Sequence, residues 1–170
     1  MTSGTPFDPY ELLGALTGER VSFVVVGAFA RVVHGTGETT SGLDVVPSLR
    51  ADNLRRLQRA LEELDARATR RQASAAQLTD GRPVAARTRA GDLRLVPTPL
   101  GTRGYDDLRI RAARENLGRG LRPAIASLAD LRRMLEASDR PEDALRLERL
   151  TRVMELEHEL ARRRGPELGV

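Results

Sequence analysis

The stretch Val21-Ser-Phe-Val-Val-Val-Gly-Ala-Phe-Ala-Arg-Val-Val-His-Gly35, followed after a polar loop by Leu43-Asp-Val-Val-Pro47, decides the fold. Val21 to Val26 is dense in β-branched residues and reads as a buried central strand. Gly27 marks its end, and Ala28 to Val33 reads as a short helix closed by His34-Gly35. Thr36 to Ser41 is a polar loop, and Leu43 to Val46 is a second strand stopped by Pro47. Asp44 interrupts that apolar strand. A lone buried carboxylate costs roughly several kcal/mol unless it is paired, so Asp44 is read as one half of an ion pair or as a metal ligand.

Outward from this centre the same alternation continues. Asp8-Pro9 opens an amphipathic helix carrying Tyr10, Leu12, Leu13 and Leu16, which Gly18 ends. Ala51 to Leu64 is a helix with Leu54, Leu57, Leu61 and Leu64 spaced by three and four. Ala66 to Thr69 and Val84 to Thr88 suit strands separated by a polar stretch, Ala73 to Gly81. Leu93 to Val96 is a clearer strand, entered through Ala90-Gly91, and Leu100 to Tyr105 is a glycine-bearing loop. Ser127 caps a helix running to Ala137, with Asp130 at its third position, and Pro141 to Arg164 is one long helix. The expected class is α/β (α+β): a mixed sheet flanked by helices, with residues 1–125 as core and 126–170 as a helical part packed on the same domain. Phe23–Val26, Leu43–Val46 and Leu93–Val96 are expected to be neighbouring strands, with the Gly27 turn and Asp44 opening onto one cleft.

Composition narrows the function classes. The chain has 170 residues, no cysteine, and 40% hydrophobic content, with a mean hydropathy of −0.38. This excludes disulfide scaffolds, thiolate metal sites and cysteine nucleophiles. No charged segment followed by an apolar one opens the chain, and the longest apolar stretch is too short to span a membrane, so a cytoplasmic, bacterial-type setting without a membrane partner is expected. All 28 basic residues are arginine and the net charge is only +4. The isoelectric point of 10.7 is inflated by that choice, because arginine does not discharge below about pH 12. Weak positive charge permits nucleotide or RNA binding without arguing for it.

An ordered set of motifs is more informative. Val24-Val-Val-Gly-Ala-Phe-Ala30, Val33-His-Gly35, Thr39-Thr40, Leu43-Asp-Val-Val-Pro47, Gly91-Asp-Leu-Arg-Leu-Val-Pro97, the segment from Gly101 to Leu108, Ala126-Ser-Leu-Ala-Asp-Leu131 and Arg140-Pro-Glu-Asp143 follow one another along the chain. Together they resemble the nucleotidyltransferase superfamily, and more narrowly its bacterial minimal group related to abortive-infection (toxin–antitoxin) proteins. The resemblance implies that Gly27, Ala28, Thr39 and Thr40 contact a nucleotide. It also implies that two carboxylates on the second strand hold Mg²⁺ and that a third, on another strand, helps activate the attacking hydroxyl for in-line transfer.

The chain departs from that pattern at decisive positions. Ala28 stands where glycine or serine is usual, Gly42 stands at the first carboxylate position, Asp44 keeps the second, and Arg94 occupies the third. Leu135 and Glu142 sit where relatives often carry basic residues. The resulting expectation is a pseudoenzyme with Asp44 as remnant and Arg94 docking its fork on Asp44 in place of the metal. It would bind a nucleotide, an RNA or a protein partner with no cofactor, in a regulatory or toxin–antitoxin role. The alternative is an active, Mg²⁺-dependent transferase acting on RNA or protein hydroxyls, for which Asp92 or Glu38 would have to supply the missing oxygens. A pure interaction domain is the third reading. Gly27 reads equally as a packing glycine, His34 as a helix-end hydrogen bonder, Arg162 to Arg164 as complement to the helix dipole, and His158 as surface.

Overall fold

The structure, a computed structural model, describes residues 4–165. Helix α1 (Pro9–Gly18) is capped by the Asp8 carboxylate, which accepts from the amides of Tyr10 and Glu11. Its Leu12, Leu13 and Leu16 are fully buried. Strand β1 (Phe23–Val26) leads directly into α2 (Gly27–His34), and β2 (Gly42–Pro47) follows the polar loop. The strand begins at Phe23 rather than Val21 because Ser22 is held by a side chain. Asn53, buried in α3 (Ala51–Glu63), accepts from the Ser22 amide at 2.7 Å and donates to the carbonyls of Ser22 and Ser48.

Short strands β3 (Arg67–Ala68) and β4 (Arg71–Gln72) come next, then a 3-10 turn over Ala75–Asp80 where the sequence suggested only a polar link. Strands β5 (Val84–Thr88) and β6 (Gly91–Leu95) form a hairpin. Helix α4 (Tyr105–Leu108), strands β7 (Ala113–Arg114) and β8 (Ala124–Ile125), and helices α5 (Leu128–Glu136) and α6 (Pro141–Arg164) complete the described chain. The Ser127 hydroxyl caps α5 through the Asp130 amide, as its spacing predicts.

All eight strands form one mixed sheet in the order β4-β3-β5-β6-β2-β1-β8-β7. The three strands expected to be neighbours are neighbours: β2 pairs antiparallel with β1 and parallel with β6. Alternation along β2 and β6 then decides which side is buried. Leu43, Val45, Leu93 and Leu95 enter the core with the leucines of α1 and α3. Gly42, Asp44, Asp92 and Arg94 point to the opposite face. There α2 packs against β1 and β2, α5 packs against α2, and α6 packs against α5.

Candidate functional site

A cleft opens on the polar face of the sheet in two adjoining lobes, one of about 670 Å³ and one of about 580 Å³, which share Ala28, Asp44, Arg94 and Arg146. Every site residue expected from the sequence lines it: Thr39, Thr40 and Gly42 border the first lobe and Gly27 the second. The register explains the convergence. Val26, the last residue of β1, lies opposite Asp44, and Asp44 lies opposite Arg94. Gly27 follows Val26 with φ +70, and a β-carbon there would stand 2.6 Å from Asp44 Oδ2. The glycine therefore makes room for the carboxylate, a role that neither sequence reading of Gly27 contained.

Asp44 is half-buried, and burial pushes its carboxyl above the usual range, against the partial offset of Arg94, Arg31 and Arg140. The expected fork between Arg94 and Asp44 is not formed: among the described residues, Asp44 makes neither an ion pair nor a hydrogen bond. Arg94 is exposed, and an exposed guanidinium gains little net free energy by closing onto an adjacent carboxylate. Arg94 and Arg87 both face the cleft without a carboxylate partner among the described residues, on paired strands where Arg94 lies opposite Ala85 and Arg87 opposite Asp92.

Glu38 is likewise unavailable as a metal ligand. Arg31 Nε and its terminal nitrogen donate to both carboxylate oxygens at 2.8 and 3.0 Å, and the Thr36 hydroxyl adds a third bond at 2.7 Å. Both side chains of this pair are more than nine-tenths buried. Burial works to raise the Glu38 carboxyl, but the hydrogen bonds of Arg31 and Thr36 outweigh it and hold the group below its usual range. The clamp fixes the loop that carries Thr39 and Thr40. Thr40 is further tied down, donating its hydroxyl to the Gly42 carbonyl at 2.9 Å.

A second device, missed from the sequence, sits where α6 begins. Asp143 is buried and gathers the Ser138 hydroxyl at 2.5 Å, Arg140 at 3.2 Å and Arg146 at 2.7 Å. Burial alone would raise its carboxyl, yet the Ser138 hydroxyl and the two arginines hold it below the usual range. Arg146 is thereby aimed at both cleft lobes. The available signal was Asp143 recurring with Arg140 and Arg146 at spacings of three on one helix start.

Of the remaining singled-out residues, Leu135 is buried at the wall of the second lobe, and Glu142 is exposed on α6. His34 Nε2 meets the Ala126 carbonyl at 2.9 Å, so it is a hydrogen bonder between elements. His158 and Arg162 to Arg164 are exposed.

The donor set does not fit Mg²⁺. Gly42 contributes no side chain, and its α-carbon packs so that a β-carbon would lie 3.0 Å from the Asp92 carbonyl oxygen. No cluster of three histidine, aspartate or glutamate side chains suited to a metal exists among the described residues. A cation beside Asp44 would also meet the field of Arg94, Arg31 and Arg140. The same arrangement suits an anion. The first turn of α2 has no side-chain cap, so its amides are free to point at a ligand, and guanidinium groups surround them.

No protein-family model matches the chain, and no curated protein matches it. Among solved structures, it is similar to a proposed nucleotidyltransferase from Thermotoga maritima with a TM-score of 0.49 and 14% identity over 89% of each chain.

Proposed function

We propose that this chain is a nucleotidyltransferase-like pseudoenzyme that binds the phosphates of a nucleotide in the cleft without metal and without transfer. The observation that carries this reading is the surrounding of Asp44. A guanidinium, Arg94, stands at the register position beside it, Gly42 stands two residues before it, and the uncapped start of α2 faces it. Arg87, Arg94 and Arg146 supply fixed positive charge where a metal-dependent enzyme would concentrate carboxylates. The ordered sequence motifs supply the link to nucleotides, and the narrower regulatory role of toxin–antitoxin type rests on that resemblance alone. An RNA end or a protein-borne phosphate would meet the same donors.

Calorimetric titration with ATP, CTP, GTP and UTP, with and without Mg²⁺, tests the proposal. Binding of at least one nucleotide that is no weaker when Mg²⁺ is chelated supports it. Binding that requires Mg²⁺, accompanied by label transfer to RNA or protein, replaces it with the active transferase. No binding under either condition leaves an interaction module.

A further inference from the structure

We infer that the protein carries a second anion site, built to take a chain of phosphate groups, at the other end of β1. A pocket of about 460 Å³ lies there, lined by Arg20, Arg109, Arg114 and Arg122 and by no carboxylate. These arginines come from separate segments: Arg20 follows α1, Arg109 follows α4, Arg114 is in β7 and Arg122 precedes β8. The pocket is distinct from the cleft. It contacts Phe23 and Val24, whereas the cleft begins at Val26.

The strand pairing explains why the space exists: the Pro123 carbonyl accepts from the Glu115 amide on the β7 side at 3.1 Å, and β8 meets β1 only briefly. The described register between the two strands is the single pair Val25 with Ile125. Upstream of it the strands part and leave the pocket. Arg20 is held at its mouth in a left-handed conformation, φ 57, which is unusual for a residue other than glycine. Its amide donates to the Thr17 carbonyl at 3.0 Å. The Val21 amide donates to the Leu16 carbonyl at 3.0 Å, so the left-handed residue belongs to the turn that ends α1, and this turn brings Arg20 to the pocket lining.

The charge is largely uncompensated. Arg109 meets Asp106 at 3.1 Å on an exposed rim, and Arg114 donates to the Arg122 carbonyl at 3.1 Å. The guanidiniums of Arg20 and Arg122 have no acceptor among the described residues. Four planar forks spread around a slot match phosphates in series better than one carboxylate, because each fork pairs with two oxygens. Tyr105, half-buried in the wall, offers a ring against which a base can lie. Inorganic polyphosphate and the tail of a nucleoside triphosphate share this chemistry.

The test uses the full chain, with inorganic tripolyphosphate and ATP as separate probes at low ionic strength. Tripolyphosphate should bind, and Arg20→Gln with Arg122→Gln should weaken it at least about tenfold, the scale of losing charge-assisted hydrogen bonds. Arg87→Gln with Arg94→Gln should leave this component intact, which separates it from binding in the cleft. Equal affinity for the two probes assigns recognition to phosphate alone, and tighter ATP binding adds the base on Tyr105; both support the site. A measurement without variants guards against misfolding: the Nε–Hε resonances of Arg20 and Arg122 should shift on adding tripolyphosphate. Unmoved resonances, or a double variant that binds as the parent does, overturn the proposal.

Discussion

The Asp44 carboxylate occupies the volume that a β-carbon on Gly27 would fill, with Oδ2 standing 2.6 Å from that point. The turn from β1 into α2 and the cleft face of β2 are thus shaped around each other. Gly27→Ala should destabilise the fold by about 1–3 kcal/mol, combining the left-handed φ with the close contact. Urea denaturation measures the loss. Adding Asp44→Ala should recover the contact part and leave the backbone part, so the two effects are not additive.

Asp44 also sets a pH dependence. Its carboxyl titrates higher in the folded chain than its ordinary value of 3.8, chiefly through burial. Folding therefore favours the protonated form: the contribution is fully present in acid below the unfolded pKa and is lost as pH rises through the folded one. Asp44→Asn should be more stable than the parent near neutral pH, and its advantage should shrink in mild acid. Equal unfolding midpoints at neutral pH would refute this account.

The Arg31–Glu38 pair behaves in the opposite sense. Glu38 titrates below its ordinary value, so its contribution is present above the unfolded pKa and fades as pH falls through the folded one. Glu38→Gln or Arg31→Leu should each cost about 3–5 kcal/mol by leaving one buried partner uncompensated. Removing both should cost less than the sum. Thermal unfolding of the three variants is the check, and strictly additive losses would reject the coupling.

Arg94→Leu should cost little stability, under about 1 kcal/mol, because Arg94 is exposed and its offset of the Asp44 charge acts without a direct ion pair. The same substitution should weaken nucleotide binding about tenfold if Arg94 grips phosphate. Added Mg²⁺ should leave the melting temperature unchanged, since binding to the native state alone would raise it. A metal-dependent rise that Asp44→Asn abolishes would contradict the reading.

The central strands were legible because their β-branched runs and flanking glycine and proline are local signals. Leu43-Asp-Val-Val46 placed Asp44 on the right face because alternation in a strand has a period of two. Strands β7 and β8 were invisible: two residues each, Ala113–Arg114 and Ala124–Ile125, hold no periodicity to read. The positions of Asp44 and Arg94 followed from register, but their failure to pair did not. That outcome depends on how exposed the Arg94 side chain is in the folded cleft, which spacing does not encode. Arg31 and Glu38 lie seven residues apart across a loop, so nothing in helical or strand spacing links them. Asp143 could be read as a local cluster, but its burial is a tertiary fact.

Arginine supplies every basic side chain lining the two cleft lobes. The consequence reaches into the laboratory as well as the cell. Reagents and enzymes that acylate amines find no side-chain target in the cleft, while dicarbonyl compounds that condense with guanidinium do. Nor does this wall lose charge in alkaline solution below about pH 12. The ionisable groups left to change in the lining are the carboxyls of Asp44, Asp92 and Asp143 and the ligand's own phosphate, so the cleft presents arginine charge that neither lysine acetylation nor ordinary alkalinity can switch off.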